Sequence, residues 1–417
     1  MNDFHLIDRL LGKDQILQAP QGSSLCLYPF FSLLMTANGK YKPCCKWHEV
    51  LHHKGKELQA PQDSFSDAWH SDEMVQLRQK FLNAEKPPKC SVCWKEEESG
   101  IRSMRYDSFD YQLRKNILKS PNTPKRLDLY PSNVCNLKCR ICSPEYSSKW
   151  IPEAKETLGS NESVHLNFTE ENLALIKTWL PGIIELGFFG GEPLYLKETI
   201  QLLQYCVEQG YSKSISLLIN TNATIYSDEL ADLFKQFKKV LLNFSIDDIG
   251  ERFEYQRKGA IWAEVVSNIS KYIAAGGCRS TDQIECKICC TVSTLNIYYL
   301  PELYQWFADR FPELKIYLNF LHGPYALSVI SLPDEVKKIL CEHFNSNTGA
   351  IRQAKDEKLT RTIENIIEFL NTKPNVSFQE FFKELERGDN YRKESYPIIF
   401  PEWWKILSPY RQKRLNE

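Results

Sequence analysis

The chain has 417 residues, 52 Lys+Arg against 53 Asp+Glu for a formal charge of -1, and 14 cysteines. Such a balance gives no electrostatic footprint for nucleic acid or an anionic membrane surface, and the length exceeds one average domain. The first residues, Met1-Asn2-Asp3-Phe4-His5, carry no basic segment followed by an apolar run, and the longest apolar stretch, residues 25–37, contains Pro29 and falls short of the roughly 20 residues that span a bilayer. A cytoplasmic protein with reduced thiols is therefore expected, one in which clustered cysteines bind metal more often than they pair.

Residues 1–120 hold Cys26, the adjacent Cys44 and Cys45, and Cys90 with Cys93; the apolar stretch 25–37 reads as a buried strand or turn. The polar run Ser120-Pro121-Asn122-Thr123-Pro124 reads as a linker. From 125 to 332, short apolar runs alternate with amphipathic helical patterns. The strands are predicted at 126–130, 183–189, 214–220, 240–246, 286–292 and 314–320, with helices at 196–209, 227–237, 260–275 and 300–310. Strand followed by helix, repeated, means α/β with a parallel sheet or partial barrel. Residues 333–417 open with Pro333-Asp334-Glu335, a helix-initiating pattern, and continue as polar and aromatic helices in which Trp403 and Trp404 are read as packing.

In βα units the ligand lies beyond the carboxyl ends of the strands, so the residues after each run carry the chemistry. The first run is followed by Cys135, Cys139 and Cys142, spaced C-x3-C-x2-C. Three thiolates leave one position open on an iron–sulfur cluster that takes four ligands. A structural zinc site usually closes with a nearby fourth Cys or His; the first candidate, His165, lies more than twenty residues further on. The second run ends in Gly190-Gly191-Glu192-Pro193: glycines admit a ligand close to the backbone, and a carboxylate accepts from an ammonium group. After the third run comes Asn220-Thr221-Asn222, where Thr221 reads as a helix cap and Asn222 as a ligand-positioning group. The fourth ends in Ser245-Ile246-Asp247-Asp248, with hydroxyl and carboxylate suited to ribose, and Arg257 follows as a forked donor for a carboxylate.

With these residues in view the sequence resembles the radical SAM superfamily: Cys135, Cys139 and Cys142 match its cluster motif, and Gly190-Gly191-Glu192-Pro193 matches its methionine-binding turn. The resemblance implies a partial (β/α)6 barrel, a [4Fe-4S] cluster chelated by S-adenosylmethionine (SAM), and cleavage of SAM to a 5'-deoxyadenosyl radical that takes hydrogen from a substrate. It would assign Glu192 and Asn222 to the methionine end of SAM, Ser245 to the ribose with Asp247 beside it, and Arg257 to the carboxylate. Cys26, Cys44 and Cys45, Cys90 and Cys93 resemble an auxiliary-cluster module of the twitch or SPASM type, here N-terminal to the barrel, and the runs Glu97-Glu98-Ser99-Gly100 and Ser147-Ser148-Lys149-Trp150 recur in proteins of that arrangement. Cys26, Cys90, Cys93 and one of Cys44 or Cys45 would hold a second [4Fe-4S] cluster; a structural zinc on the same four thiols is the alternative.

The strand holding Cys289 and Cys290 alternates its side chains, so one of the two faces the ligand side, and Cys290 is carried as a candidate hydrogen-atom donor to a substrate radical. A small buried hydrophobe is the plainer reading for Cys206, Cys278, Cys286 and Cys341, and for that pair as well. His322 is read as a turn residue near the same strand ends. The resemblance makes a ribosomally synthesised precursor peptide the first expected substrate and a small metabolite the second, with a non-catalytic iron–sulfur or zinc subunit as the third reading. A reductant protein such as flavodoxin or ferredoxin, and a small partner protein, are the expected partners.

Overall fold

The computed structural model describes residues 23–98, 102–115, 123–160, 165–353 and 377–411. Ser99, Gly100 and the linker residues Ser120, Pro121 and Asn122 lie outside the described residues. The strands, in chain order, are β1 (Ser32–Met35), β2 (Tyr41–Lys42), β3 (His52–His53), β4 (Lys56–Glu57), β5 (Arg126–Leu129), β6 (Lys138–Cys139), β7 (Glu185–Phe188), β8 (Ser216–Thr221), β9 (Lys239–Ser245), β10 (Arg257–Lys258), β11 (Ile284–Val292) and β12 (Lys315–Phe320). Each of the six strands expected from the apolar runs is present, as β5, β7, β8, β9, β11 and β12, and helices follow them in the chain, among them Lys197–Glu208, Asp228–Phe234, Trp262–Gly276 and Leu300–Arg310.

The chain forms two compact units, the first comprising residues 1–132, 166–219 and 236–238 and the second residues 133–165, 220–235 and 239–417. In the first, the strand order is β8-β7-β5-β1-β2, with β1, β5, β7 and β8 parallel and β2 antiparallel to β1. Register aligns Leu33, Leu127, Leu186 and Leu217 in one row and Met35, Leu129, Phe188 and Ile219 in the next, all buried. At about 1.5–3 kcal/mol for each side chain taken from water, these rows hold β1 on the same sheet as β5. The stretch 25–37, expected as a strand or turn, is both a helical turn and a strand: Pro29 sits in the first turn of the helix Tyr28–Phe31, where its missing N–H costs nothing, and β1 follows. Helices Phe65–Trp69 and Asp72–Leu82 complete the N-terminal part. Ser64 and Asp67 form a capping box at the first, and Ser71 caps the second by accepting from the Met74 N–H.

The second unit carries β12, β11 and β9 in that order, all parallel. Alternation is regular along β9: Val240, Leu242 and Phe244 are buried, while Leu241, Asn243 and Ser245 face the more open side. The helix Trp262–Gly276 packs Tyr272 5.7 Å from the Phe244 ring and 6.4 Å from Phe234. C-terminal helices Gln379–Arg392, Tyr396–Ile399 and Pro401–Leu407 close this unit; fully buried Trp403 donates from Nε1 to the Thr294 carbonyl at 2.7 Å. The fold is thus the expected α/β class: the strand–helix series of a partial (β/α)6 barrel, an N-terminal module and a C-terminal helical extension. No helix among the described residues is long and apolar enough to cross a membrane.

Candidate iron–sulfur sites

Cys135, Cys139 and Cys142 lie on an irregular loop of the second unit that local hydrogen bonds hold in shape. The Ser147 hydroxyl donates to the Leu137 carbonyl at 2.7 Å, Trp150 Nε1 to the Cys139 carbonyl at 2.6 Å, and the Ser148 N–H to the Asn133 carbonyl at 2.7 Å. These contacts give the run Ser147-Ser148-Lys149-Trp150 its physical role. A short antiparallel ladder pairs Cys139 with Arg257 and Lys138 with Lys258. The ladder carries Arg257 Nη1 to 3.7 Å from Cys139 Sγ, while Nη2 pairs with Asp247 Oδ2 at 2.7 Å. Burial alone would disfavour the Arg257 cation; Asp247, Cys139 and Cys289 outweigh it and keep the guanidinium firmly charged. Burial pushes the Cys139 thiol up, and the neighbouring Arg257 draws it back toward thiolate. The Cys142 thiol is raised by burial and by Cys139 beside it.

The strand-end residues are placed as follows. Asn222, 6% exposed, donates from Nδ2 to Asn136 Oδ1 at 2.9 Å; Asn136 donates to Thr224 Oγ1 at 2.8 Å, and Thr224 donates back to Asn222 Oδ1 at 2.6 Å from the hydroxyl and 3.0 Å from N–H. Asn222 therefore grips the residue next to Cys135. Sequence reading missed Asn136 and Thr224, and only the polar character of the strand end pointed toward them. Asp247 commits Oδ2 to Arg257 and accepts the Thr291 N–H on Oδ1 at 2.9 Å. Ser245 lies beside Cys289, and Cys289 beside the half-exposed Tyr317, in one row across β9, β11 and β12. Cys290 points to the opposite side, fully buried, with Sγ 3.8 Å from the Asp247 carbonyl. Of the two adjacent cysteines, Cys289 shares the face of Ser245.

Gly190-Gly191-Glu192-Pro193 belongs to the first unit. Gly190 has φ +71° and Gly191 φ +52°, and a Cβ on Gly190 would stand 2.6 Å from the Tyr130 ring, so glycine is required there by both conformation and space. Glu192, 1% exposed, turns Oε1 back to accept the Leu194 N–H at 3.1 Å, and Pro193 opens the turn that follows.

In the N-terminal module, Cys26, Cys44, Cys90 and Cys93 line one apolar cavity with Phe81 and Trp94. Cys90 ends the turn Pro88–Cys90 and Cys93 sits three residues on, in the helix Ser91–Glu98, a spacing that puts both on one helical face. Cys45 is exposed, its Sγ 3.4 Å from the Met104 sulfur, and is not among the cavity residues. Burial pushes Cys90 and Cys93 up to about 12, with Cys93 adding to the shift at Cys90 and Glu96 to that at Cys93. Lys46 and Arg105 also line the cavity and supply positive charge beside the thiols. All fourteen cysteines are unbridged. Among the described residues no three His, Cys, Asp or Glu side chains are gathered as ligands of a single metal ion. The donor chemistry nonetheless suits clusters, with three thiols and an adjacent guanidinium in one place and four thiols around one cavity in the other.

A family model described as the radical SAM superfamily matches residues 129–295, and a second, SPASM, described as an iron–sulfur cluster-binding domain, matches residues 26–94. GTP 3',8-cyclase of Sulfurimonas denitrificans is 24% identical over 214 residues, covering 50% of this chain and 60% of that protein. GTP 3',8-cyclase of Clostridium botulinum strain Okra is 29% identical over 144 residues, 34% of this chain and 41% of that protein. The chain thus spans only part of the length of these curated relatives. Among solved structures, native anSMEcpe with bound AdoMet aligns with a TM-score of 0.39 and 20% identity over 54% of this chain and 60% of that one. Streptococcus suis SuiB bound to S-adenosylmethionine aligns with a TM-score of 0.35 and 16% identity over 72% of this chain and 65% of that one. With cluster motif and auxiliary module both matched, in the order module then barrel, the chain carries a SPASM-type iron–sulfur cluster-binding domain at residues 26–94 and a radical SAM domain at residues 129–295.

Proposed function

We propose that this chain is a radical SAM enzyme in which Cys135, Cys139 and Cys142 hold the SAM-binding [4Fe-4S] cluster and Cys26, Cys44, Cys90 and Cys93 hold an auxiliary one. The observation that carries the reading is a set of three thiols on a loop pinned to Arg257, Nη1 of which lies 3.7 Å from Cys139 Sγ. A cluster held by these three thiols would supply the one electron for reductive cleavage of SAM to methionine and a 5'-deoxyadenosyl radical, the species that would take hydrogen from the substrate. The residues of the chain orient and insulate. Arg257 balances thiolate charge at Cys139, and Asp247 holds Arg257 and the β11 backbone together. Asn222 fixes the loop through Asn136. Ser245, on the more open face of β9, is assigned to the ribose. The Gly190-Gly191-Glu192-Pro193 turn is assigned to the methionine end on the resemblance alone.

A ribosomally made peptide is the proposed substrate, supported by the SPASM-type match, with crosslinking, epimerisation or backbone excision as the outcome and a flavodoxin- or ferredoxin-like protein as reductant. The matched GTP 3',8-cyclases favour a second reading, a small metabolite. The anaerobically reconstituted protein should hold about eight iron per chain and release 5'-deoxyadenosine from SAM with dithionite. Replacing Cys135, Cys139 and Cys142 by Ala should end that release; continued release would refute the assignment. A peptide encoded by a short reading frame beside the gene should change mass on turnover, whereas conversion of GTP under the same conditions would favour the metabolite reading.

A further inference from the structure

The three-cysteine loop carries two cations with no obvious task in cluster binding, Lys138 and Arg140 on either side of Cys139. The Arg140 guanidinium and the Lys138 carbonyl are both engaged from the C-terminal segment of the second unit, beyond the stretch that the radical SAM family model covers. Arg140 Nη2 donates to Asp389 Oδ1 and to Glu394 Oε2, each at 2.6 Å, and its guanidinium lies 3.8 Å from the Tyr255 ring centroid. Tyr255 donates its hydroxyl to the same Asp389 oxygen at 2.6 Å. Glu394 also pairs with Lys258 at 2.7 Å, so one carboxylate ties both strands of the ladder that sets Arg257 against Cys139. On the other side, Arg392 Nη1 donates to the Lys138 carbonyl at 2.8 Å, and the fully buried Glu153 pairs with Arg392 and Lys138 at 3.0 and 2.9 Å.

The helix Gln379–Arg392 carries a glycine where it meets the loop. Glycine is the poorest helix former after proline, and a Cβ at Gly388 would stand 2.7 Å from Arg140 Nη1. The helix therefore gives up local propensity at the position where Arg140 lies against it. Buried ion pairs add little net stability compared with apolar packing, and their best-attested use is to fix one geometry among several. Arg140 is 5% exposed, so removing its partners leaves a buried cation uncompensated.

We propose that the segment 388–394 is a clamp that sets the geometry of the cluster loop, with Arg140 and Arg392 as positioning residues; the proposal rests on the reading that this loop holds the SAM-binding cluster. The two carboxylates and Gly388 fix where Arg140 sits, Arg392 fixes the Lys138 carbonyl, and the cysteine between them is presented in one orientation. The clamp acts on the chain and touches neither SAM nor substrate.

The test uses the full-length protein, reconstituted anaerobically and reduced with dithionite. Electron paramagnetic resonance reads the part of the cluster signal that changes when SAM is added. Gly388→Ala and the isosteric Asp389→Asn, which leaves Glu394 paired with Arg140 so that the buried cation stays compensated, should each lower that SAM-responsive part at least threefold, or shift its g-values, while the thermal midpoint and the SAM-insensitive signal stay near wild type. A wild-type SAM-responsive signal in both variants overturns the clamp. A loss in Gly388→Ala accompanied by a fallen thermal midpoint, with Asp389→Asn unchanged, also overturns it, because that pattern reports folding rather than positioning. If the wild-type protein itself shows no SAM-responsive signal, the cluster reading fails and the clamp with it, an outcome distinct from variants that match a responsive wild type.

Discussion

The two cysteine sites are held by opposite means. Around Cys26, Cys44, Cys90 and Cys93 the walls are aromatic and apolar, and the thiols ride on a helix, a turn and a strand-linked loop. Around Cys135, Cys139 and Cys142 the backbone is irregular, and side-chain hydrogen bonds and ion pairs fix it from several directions. Four thiols complete a cluster's ligand set and need only enclosure, whereas three thiols leave an iron open for chemistry and need a loop whose position does not drift. Apolar packing suits the first task because it is strong and non-directional. Directional polar contacts suit the second, since a hydrogen bond weakens steeply once its geometry is lost.

Substitutions at the two sites test this contrast. The largest effect belongs to Cys139→Ala combined with Cys142→Ala, which should remove 5'-deoxyadenosine formation and about half of the iron while leaving the auxiliary signal; loss of both signals would mean the sites are not independent. Next, Cys44→Ala should cost the auxiliary cluster and Cys45→Ala should keep it, because Cys45 is exposed and turned toward Met104. Zinc in place of iron at this site in metal analysis would overturn the auxiliary-cluster assignment. Phe81→Ala probes the apolar frame: the side chain lines the cavity, is 2% exposed and has its ring 6.5 Å from that of Trp94, so a loss of about 3–5 kcal/mol is expected in denaturant unfolding. Asn222→Ala probes the polar frame, and leaving Asn136 short of a partner should cost about 1–3 kcal/mol and weaken the SAM-responsive signal more than the auxiliary one.

A further test is a pH dependence. Burial pushes the Asp248 carboxyl up to about 7, against the pull of Arg252 at 3.0 Å. The folded state therefore binds the proton more tightly than the unfolded one. That contribution is fully present below the unfolded value, near pH 4, and fades as pH rises through 7. Asp248→Asn should flatten the thermal midpoint against pH across that window; a slope equal to wild type would show that the group does not govern it.

How much of this was legible in the sequence depends on the range of the contacts involved. The six parallel strands read as apolar runs because they are buried on one face or both, and the helices between them show a 3.6-residue period. The three-cysteine loop and the glycine turn were legible because their residues lie close together in the chain. Asn136 with Asn222 and Thr224, or Arg140 with Asp389, could not be read, since the partners are separated by 86 to 249 positions. The stretch that carries β1 reads as a buried strand or turn, with no partner strand. Its place beside β5 follows from the row Leu33, Leu127, Leu186 and Leu217, which exists only once register is set.

Spacing along the chain carries the radical SAM and SPASM-type domains, the α/β class and the candidate cluster cysteines, because it limits which donors can reach one centre. The tertiary structure decided which of two adjacent cysteines faces a cavity: Cys44 and not Cys45 in the module. It also set Cys289 on the face of Ser245 and buried Cys290 behind it. It decided as well that Asn222, Asp247 and Arg140 spend their polar groups on holding the loop. A neighbour in sequence differs from its twin only in the direction its side chain takes, and direction is set by what the rest of the chain packs against it.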